Sequence, residues 1–250
     1  MDPLPAPPPL DRDAALFLDI DGTLLEIAER PDRVRIPSAL PGLLGDLAGQ
    51  RGGALALISG RPLIEIDRLM QPWRGAAAGL HGSERRRADG AVERRLDPAA
   101  AVALDHIRPA LREFAAQDGR LLFEDKGEAV ALHYRAAPQR AREISNLAEA
   151  MQRRSGSALR LIIGKMVVEF QPRGADKGAT IAAFMLEPPF AGRVPVFVGD
   201  DVTDEDGFAE IARRHGVAIR VGGSIKTRAG CALASVAAVL VWLDGDARTG

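Results

Sequence analysis

Two aspartates one residue apart, Asp19 and Asp21, follow an apolar run in residues 14–25, AALFLDIDGTLL. The run at 15–18 is typical of a strand covered on both faces, as in a parallel sheet. Because side chains alternate along a strand, the two carboxyl groups point the same way. Neighbouring carboxylates repel, so they favour a bound cation or a shared proton. The pair indicates a nucleophile, an acid/base and part of a metal site. The alternative is an Asp-rich turn that caps the next helix.

Three more polar segments follow predicted strands. Ser59, Gly60 and Arg61 come after the apolar residues 54–58 and offer a hydroxyl and N–H groups at a helix start, which suits phosphate oxygens. Lys177 opens a helix and offers a point charge for an anion. Because open α/β folds place their sites at the carboxyl ends of strands, we expect these segments to meet. Alone, each could be an ordinary turn or surface group.

The most acidic segment has five carboxylates in seven residues, from Asp200 to Asp206. Such a cluster at one strand end is poorly tolerated without a cation. Oxygen ligands without histidine or cysteine favour Mg²⁺ over zinc. Asp204 and Glu205 could instead only complement the N-terminus of the helix that they open.

The composition sets broad limits. Hydrophobic residues are 46% of the 250, which is enough for a proper core, and 33 basic residues nearly balance 34 acidic ones. We therefore expect no nucleic-acid partner and no membrane association. The single cysteine, Cys231, excludes an internal disulfide and fits a reducing compartment, so we expect a cytoplasmic protein. We also expect it to be a monomer.

The order of elements predicts an α/β fold with an insertion. Strands alternate with helices up to residue 80, and Asp89-Gly90 then indicates a hairpin within residues 83–96. Residues 98–173 instead predict helix-strand-strand twice, which is an α+β unit, and the α/β pattern then resumes. We predict a flexible Pro-rich arm at 1–12, a catalytic core at 13–97 and 174–246, and an inserted domain at 98–173.

These motifs together resemble the haloacid dehalogenase superfamily of phosphotransferases, and more closely the trehalose-6-phosphate phosphatases. The matching segments are residues 18–24, 59–61, 81–84, 177–178 and 199–206. The resemblance implies a Rossmann-like parallel-sheet core of the haloacid dehalogenase type with an inserted α+β cap. It also implies Mg²⁺-dependent hydrolysis of trehalose 6-phosphate through an aspartyl-phosphate.

The resemblance also implies roles for individual residues. Asp19 would be the nucleophile and Asp21 the acid/base, while Ser59 and Lys177 would bind phosphoryl oxygens. The implied metal residues are Asp19, Asp21 through its backbone carbonyl, Asp200, Asp201 and Asp204. Of these, Asp200 would be a direct ligand, while Asp201 and Asp204 would stand behind the direct ligands or pair with Lys177. The implied substrate contacts are Gly22, Thr23, Gly60, Arg61, His81, Glu84, Glu124, Lys126 and Glu169.

The sugar contacts rest on weaker signals. Glu124 and Lys126 flank a predicted hairpin and could be a solvated pair, whereas Glu169 is a carboxylate in an otherwise apolar strand. His133 is expected to be structural. Other phosphosugars, such as sucrose phosphate or a mannosylglycerol-type phosphate, remain alternative substrates. A catalytically silent regulatory domain is a third interpretation, which the presence of Asp19 and Asp21 disfavours.

Overall fold

The computed structural model describes residues 4–28, 34–94, 97–223 and 226–248. The chain forms two compact units, the first from Met1–Glu93 with Asp176–Gly250 and the inserted unit from Arg94–Ala175. Residues 95–96 of the predicted hairpin and 1–3 of the predicted arm lie outside the described residues. Within the described ranges, no helix is both long enough and apolar enough to cross a bilayer.

The first unit is built on a mostly parallel sheet of eight strands among the described residues, in the order β12-β11-β10-β1-β2-β3-β4-β5. Neighbouring strands from β12 to β3 pair in parallel, and β4 then runs antiparallel to β3. Its strands are β1 Ala14–Leu18, β2 Leu55–Ile58, β3 Ala76–Gly79, β4 Glu84–Arg86, β5 Val92–Arg94, β10 Val194–Gly199, β11 Val217–Val221 and β12 Cys231–Leu233. This arrangement confirms the predicted α/β class.

Helices cover both faces of this sheet. They are α1 Leu40–Gln50, α2 Leu63–Met70, α5 Lys177–Phe184, α6 Glu205–Arg213 and α7 Val236–Arg248. Along β1, Leu16 and Leu18 join a core cluster with residues of α1, α2 and α7, while Ala15 and Phe17 join a second cluster with residues of α5 and α6. Since both faces are covered, β1 is apolar throughout, and polar groups can only stand beyond its end.

The inserted unit is an antiparallel sheet in the order β6-β7-β9-β8 with two helices. The strands are β6 Leu122–Asp125, β7 Val130–His133, β8 Leu159–Gly164 and β9 Val167–Pro172, and the helices are α3 Pro98–Ala116 and α4 Ala141–Ser155. Leu104, Leu111 and Ile144 of the helices pack with Leu132 and Phe170 of the strands. The helices therefore cover the sheet face that carries these apolar side chains.

One helix differs from its sequence-based expectation. The sequence predicts the second helix of the insertion over residues 137–154, but α4 begins at Ala141, because Pro138–Arg140 forms a separate 3₁₀ turn. In the N-terminal segment, the carbonyl of Pro5 accepts from Ala232 N and that of Pro8 accepts from the indole of Trp242. These hydrogen bonds join the predicted arm to β12 and α7.

Candidate active site

A buried lysine joins the two acidic segments. Lys177 is the first residue of α5, and its Nζ donates to Oδ1 of Asp19 and to Oδ1 of Asp204, each at 2.6 Å. All three side chains are buried, with exposed fractions of 3%, 7% and 0%. The ammonium therefore balances one of two carboxylates, and the cluster keeps an excess negative charge.

The sheet brings Asp19 and the acidic segment together. Strands β1 and β10 are parallel neighbours, and the N–H of Asp19 donates to the carbonyl of Val198 at the end of β10. The backbone then turns at Gly22, whose φ of +84° favours glycine. A Cβ at Gly22 would overlap the carboxylate of Asp200. The absence of a side chain here thus lets the two loops meet.

Asp204 organises the acidic loop. Its Oδ2 accepts from the backbone N–H groups of Asp200 and Asp201, both at 2.8 Å, while Oδ1 accepts from Lys177. The side chain of Asp201 completes a capping box with Asp204 at the 3₁₀ turn Val202–Asp204. Since Asp204 accepts three short hydrogen bonds, its position fits an anchor better than a ligand.

Burial and charge shift the pKa values of the cluster. Burial raises the pKa of Asp19 well above its usual value, against the lowering effect of Lys177, and Asp204 and Asp200 add to the rise. Burial and Asp204 raise the pKa of Asp200 to about 7. Burial alone would lower the pKa of Lys177, but Asp19 and Asp204 raise it above its ordinary value. The cluster thus has more negative than positive charge, and an added cation would balance it.

The donor set fits a hard divalent cation. One carboxylate oxygen each from Asp19, Asp200 and Asp204 lies within 4.8 Å of the others. Burial and the neighbouring carboxylates of Asp204 and Asp201 disfavour the ionised form of Asp200, so a cation beside it would be stabilising. Carboxylate oxygens without nitrogen or sulfur suit Mg²⁺. Of the residues that sequence implicated in metal binding, Asp21 and Asp201 are not in this group.

Asp21 is held by the second motif. Arg61 donates from Nε and Nη2 to the two oxygens of Asp21, each at 2.7 Å, and from Nη1 to Glu65. Asp21 is half-buried, at 35% exposure of its side chain, whereas Arg61 is buried. The hydroxyl of Ser59 is buried and accepts from the N–H of Arg61. The predicted acid/base and the predicted phosphate loop therefore lie together.

The hydroxyl of Thr23 contacts Asp19, the predicted nucleophile. It donates to Oδ2 of Asp19 at 3.2 Å. This is longer than the bond from Lys177 to Oδ1, so Oδ2 is the less tightly held oxygen of Asp19.

His81 packs on the loop of Ser59, Gly60 and Arg61, and it lies in a strained turn. Leu80 and His81 have φ values of 49° and 54°, a conformation that non-glycine residues rarely adopt. A Cβ at Gly60 would overlap the imidazole of His81, so the ring lies directly against this glycine. Two adjacent strained residues beside a phosphate loop are typical of a site held in shape by its surroundings.

Glu84 stands away from this contact. Its Oε2 accepts from the N–H of Leu63 at 2.8 Å, at the start of α2. This is a capping role that the sequence analysis did not assign.

Sequence reasoning also missed Arg220. It lies in β11, and its buried guanidinium donates to the backbone carbonyl of Asp200 at 2.8 Å and to Glu205 at 3.2 Å. It therefore ties the acidic loop to the neighbouring strand. The available signal was a charged residue inside an otherwise apolar strand, VAIRV.

In the inserted unit, the three predicted sugar contacts lie on one face of the sheet. Glu124 and Glu169 stand on either side of Ala131 in the strand register. Lys126 donates to Oε2 of Glu169 at 2.9 Å, and His133 pairs with Glu124. The sheet thus gathers these residues, although they come from two strands and one turn.

Comparison with known proteins gives one consistent answer. Residues 17–235 match the sequence profile of the family described as trehalose-phosphatase. A probable trehalose-phosphate phosphatase of Sinorhizobium fredii is 47% identical over 208 residues, covering 83% of this chain and 77% of that protein. The trehalose-6-phosphate phosphatase of Escherichia coli is 44% identical over 243 residues, covering 97% of this chain and 90% of that protein.

Solved structures share the fold. The C-terminal domain of the Candida albicans trehalose-6-phosphate phosphatase aligns with a TM-score of 0.78 at 22% identity, over 98% of each chain. A haloacid dehalogenase-like hydrolase from Bacteroides thetaiotaomicron aligns with a TM-score of 0.65 at 14% identity, over 93% of this chain and 98% of that one. At these identities the likeness confirms the haloacid dehalogenase type of fold.

Proposed function

Because this chain belongs to the trehalose-phosphatase family, we propose that it is a Mg²⁺-dependent phosphomonoesterase. It hydrolyses trehalose 6-phosphate to trehalose and phosphate through an aspartyl-phosphate on Asp19. The observation that carries this proposal is the buried contact of Lys177 with both Asp19 and Asp204. That contact holds a carboxylate nucleophile beside a fixed positive charge, as phosphoryl transfer requires.

In the first step, an oxygen of Asp19 attacks phosphorus and the bond from phosphorus to the sugar oxygen breaks. The electron pair stays on the sugar oxygen, which takes a proton from Asp21. Oδ2 of Asp19 is the attacking atom in this scheme, since Lys177 holds Oδ1 more closely. Lys177 and the hydroxyl of Ser59 bind the non-bridging oxygens as charge moves onto them.

In the second step, Asp21 takes a proton from water, which attacks phosphorus and releases Asp19. Arg61 holds both oxygens of Asp21 in this structure. Proton transfer therefore requires one of these two hydrogen bonds to open. Opening of the Arg61–Asp21 pair would free one oxygen of Asp21 for proton transfer. Closing of the pair would return the carboxyl group to its position for the next step.

The carboxylates of Asp19 and Asp200 would hold Mg²⁺, which when bound supplies the positive charge that offsets repulsion between an anionic nucleophile and a phosphate ester. We assign Asp204 and Asp201 to the support of Lys177 and of the loop, because Asp204 accepts three short hydrogen bonds, at 2.6, 2.8 and 2.8 Å, whereas the bond from Thr23 to Oδ2 of Asp19 is longer, at 3.2 Å.

We assign sugar recognition to the inserted unit, as a cap. Trehalose offers only hydroxyl groups, and ionised carboxylates and ammonium groups bind hydroxyls through charge-assisted hydrogen bonds. Glu124, Lys126 and Glu169 supply such groups on one sheet face.

A substrate panel tests the proposal. Purified protein with Mg²⁺ is expected to release phosphate from trehalose 6-phosphate well above sucrose 6-phosphate and glucose 6-phosphate. Chelation with EDTA should abolish release, and added Mg²⁺ should restore it. Comparable turnover of all three sugars would replace the substrate assignment with a broader phosphosugar phosphatase, and no turnover of any would favour a silent regulatory domain.

A further inference from the structure

One face of the inserted sheet carries two matched pairs of polar side chains, opposite the face that α3 and α4 cover. Glu124 lies opposite Ala131, and Ala131 lies opposite Glu169, so a small residue separates two carboxylates in one row. Each carboxylate accepts from a nitrogen donor: Lys126 lies 2.9 Å from Oε2 of Glu169, and His133 lies 2.8 Å from Oε2 of Glu124. The two carboxylates are thus held by different kinds of donor in an otherwise similar arrangement.

His133 is placed for this contact by the strand. It follows Ala131 by two residues on β7, so the two side chains share a face. The side chains of His133 and Glu124 are 25% and 21% exposed, which leaves both within reach of a ligand. Because a carboxylate accepts, the proton of this hydrogen bond belongs to Nε2 of the imidazole.

We propose that His133 is a positioning residue for sugar recognition, which holds the carboxylate of Glu124 so that its other oxygen can accept a hydrogen bond from a sugar hydroxyl. The inference rests on the function proposed above, and it gives a role to a residue that was expected to be structural. Within the described chain, the hydrogen bond from His133 is the one made to the carboxylate of Glu124, at Oε2. The second oxygen, Oε1, is the one assigned to the sugar.

Fixing the side chain of Glu124 before the sugar binds favours sugar affinity. A glutamate side chain has several rotamers, and a ligand that must fix them binds more weakly. The bond from His133 fixes Glu124 before the sugar arrives, as the bond from Lys126 fixes Glu169.

The charges around Glu124 also favour its ionised form, which accepts hydrogen bonds. Burial would raise the pKa of Glu124, but the hydrogen bond from His133 and the charge of Lys126 bring it below its usual value, against the opposing charge of Glu169. On the outer strand β8, the position opposite Glu169 is the apolar Ile162. Since the folded pKa is lowered, Glu124 stays ionised to lower pH than an ordinary glutamate. Removal of His133 should raise that pKa and bring its protonation to higher pH.

Steady-state kinetics on the full-length protein with Mg²⁺ test the proposal. His133→Leu is expected to raise KM for trehalose 6-phosphate by about 5- to 20-fold with kcat within about twofold. Kinetics on p-nitrophenyl phosphate, which has no sugar, should not change. His133→Gln places an amide N–H near the position of Nε2 and is expected to recover most of the lost affinity. His106→Leu, an exposed histidine of α3 in the same unit, is the matched control and should behave as wild type.

The pH profile gives a second readout. The acid limb of kcat/KM for trehalose 6-phosphate should begin at higher pH in His133→Leu than in wild type, and His133→Gln should lie close to wild type. An unchanged KM in His133→Leu, equal losses on both substrates, or no recovery in His133→Gln would overturn the inference while the wild type still cleaves trehalose 6-phosphate. Failure of the wild type on that sugar, with cleavage of the aryl phosphate intact, would instead overturn the proposed function and the inference with it.

Discussion

The two units of this protein hold their polar groups in different ways. In the first unit, Asp19 follows a strand and Lys177 opens a helix, and both are almost fully buried. In the inserted unit, Glu124 and His133 stand on the face of a sheet, and both remain partly exposed. Groups at strand ends can be gathered and removed from water, so their charges act strongly on one another. The pair of Glu124 and His133 on the sheet face stays partly exposed and therefore within reach of a ligand.

This difference predicts that changes in the first unit abolish chemistry or folding, whereas changes in the inserted unit alter selectivity.

The largest effect is expected at the proposed nucleophile, Asp19. Asp19→Asn should lower kcat by at least about 10⁴-fold, because an amide cannot attack phosphorus. Phosphate release measures the loss, and circular dichroism should show a folded protein. Activity above one tenth of wild type would remove Asp19 from its assigned role.

The second effect concerns stability. Lys177→Met should leave Asp19 and Asp204 buried without their shared counter-charge, and we expect a loss of about 3–5 kcal/mol in the free energy of unfolding. Urea denaturation at pH 7 measures this value. Lys165→Met, the same substitution at an exposed lysine of the inserted unit, is the control and should change stability by about 0.5 kcal/mol or less. Equal losses in the two variants would mean that the buried contacts of Lys177 are not the cause.

The smallest effect is expected in the inserted unit. Glu169→Gln keeps the size of the side chain but removes its charge, and kcat/KM for trehalose 6-phosphate should fall by about 10- to 100-fold. Hydrolysis of p-nitrophenyl phosphate should change little. Glu149→Gln on the exposed surface of α4 is the matched control. A parallel fall on both substrates would show that Glu169 supports the fold rather than the sugar.

Polar groups stand at strand ends in the first unit and on a sheet face in the inserted unit. This difference also explains which parts could be predicted from sequence. Groups at one strand end are close in sequence, as Asp19 and Asp21 are, so their type and spacing predict the chemistry directly. The alternation of apolar runs with helices likewise predicted the α/β class, because covered parallel strands must be apolar throughout.

Other features depend on packing that no local pattern records. The pairing of Arg61 with Asp21 spans 40 residues and appears only when two loops meet, and its predicted substrate contact stays a prediction. The hydrogen bond that Glu84 accepts from the backbone of Leu63 joins residues 21 positions apart, and the substrate contact predicted for Glu84 likewise stays a prediction. The pairing of His133 with Glu124 also escapes local patterns, because the two residues lie on different strands and only the register brings them together.

The bond from Lys177 to Asp19 joins residues 158 positions apart. During synthesis, a nascent chain that ends before this lysine has already made the strand that carries the nucleophile, yet it has no ammonium to neutralise it. The acidic loop beyond β10, whose aspartates complete the cluster, emerges later still. In a nascent chain, the proposed catalytic cluster is therefore complete only after the acidic loop that follows β10 has been made.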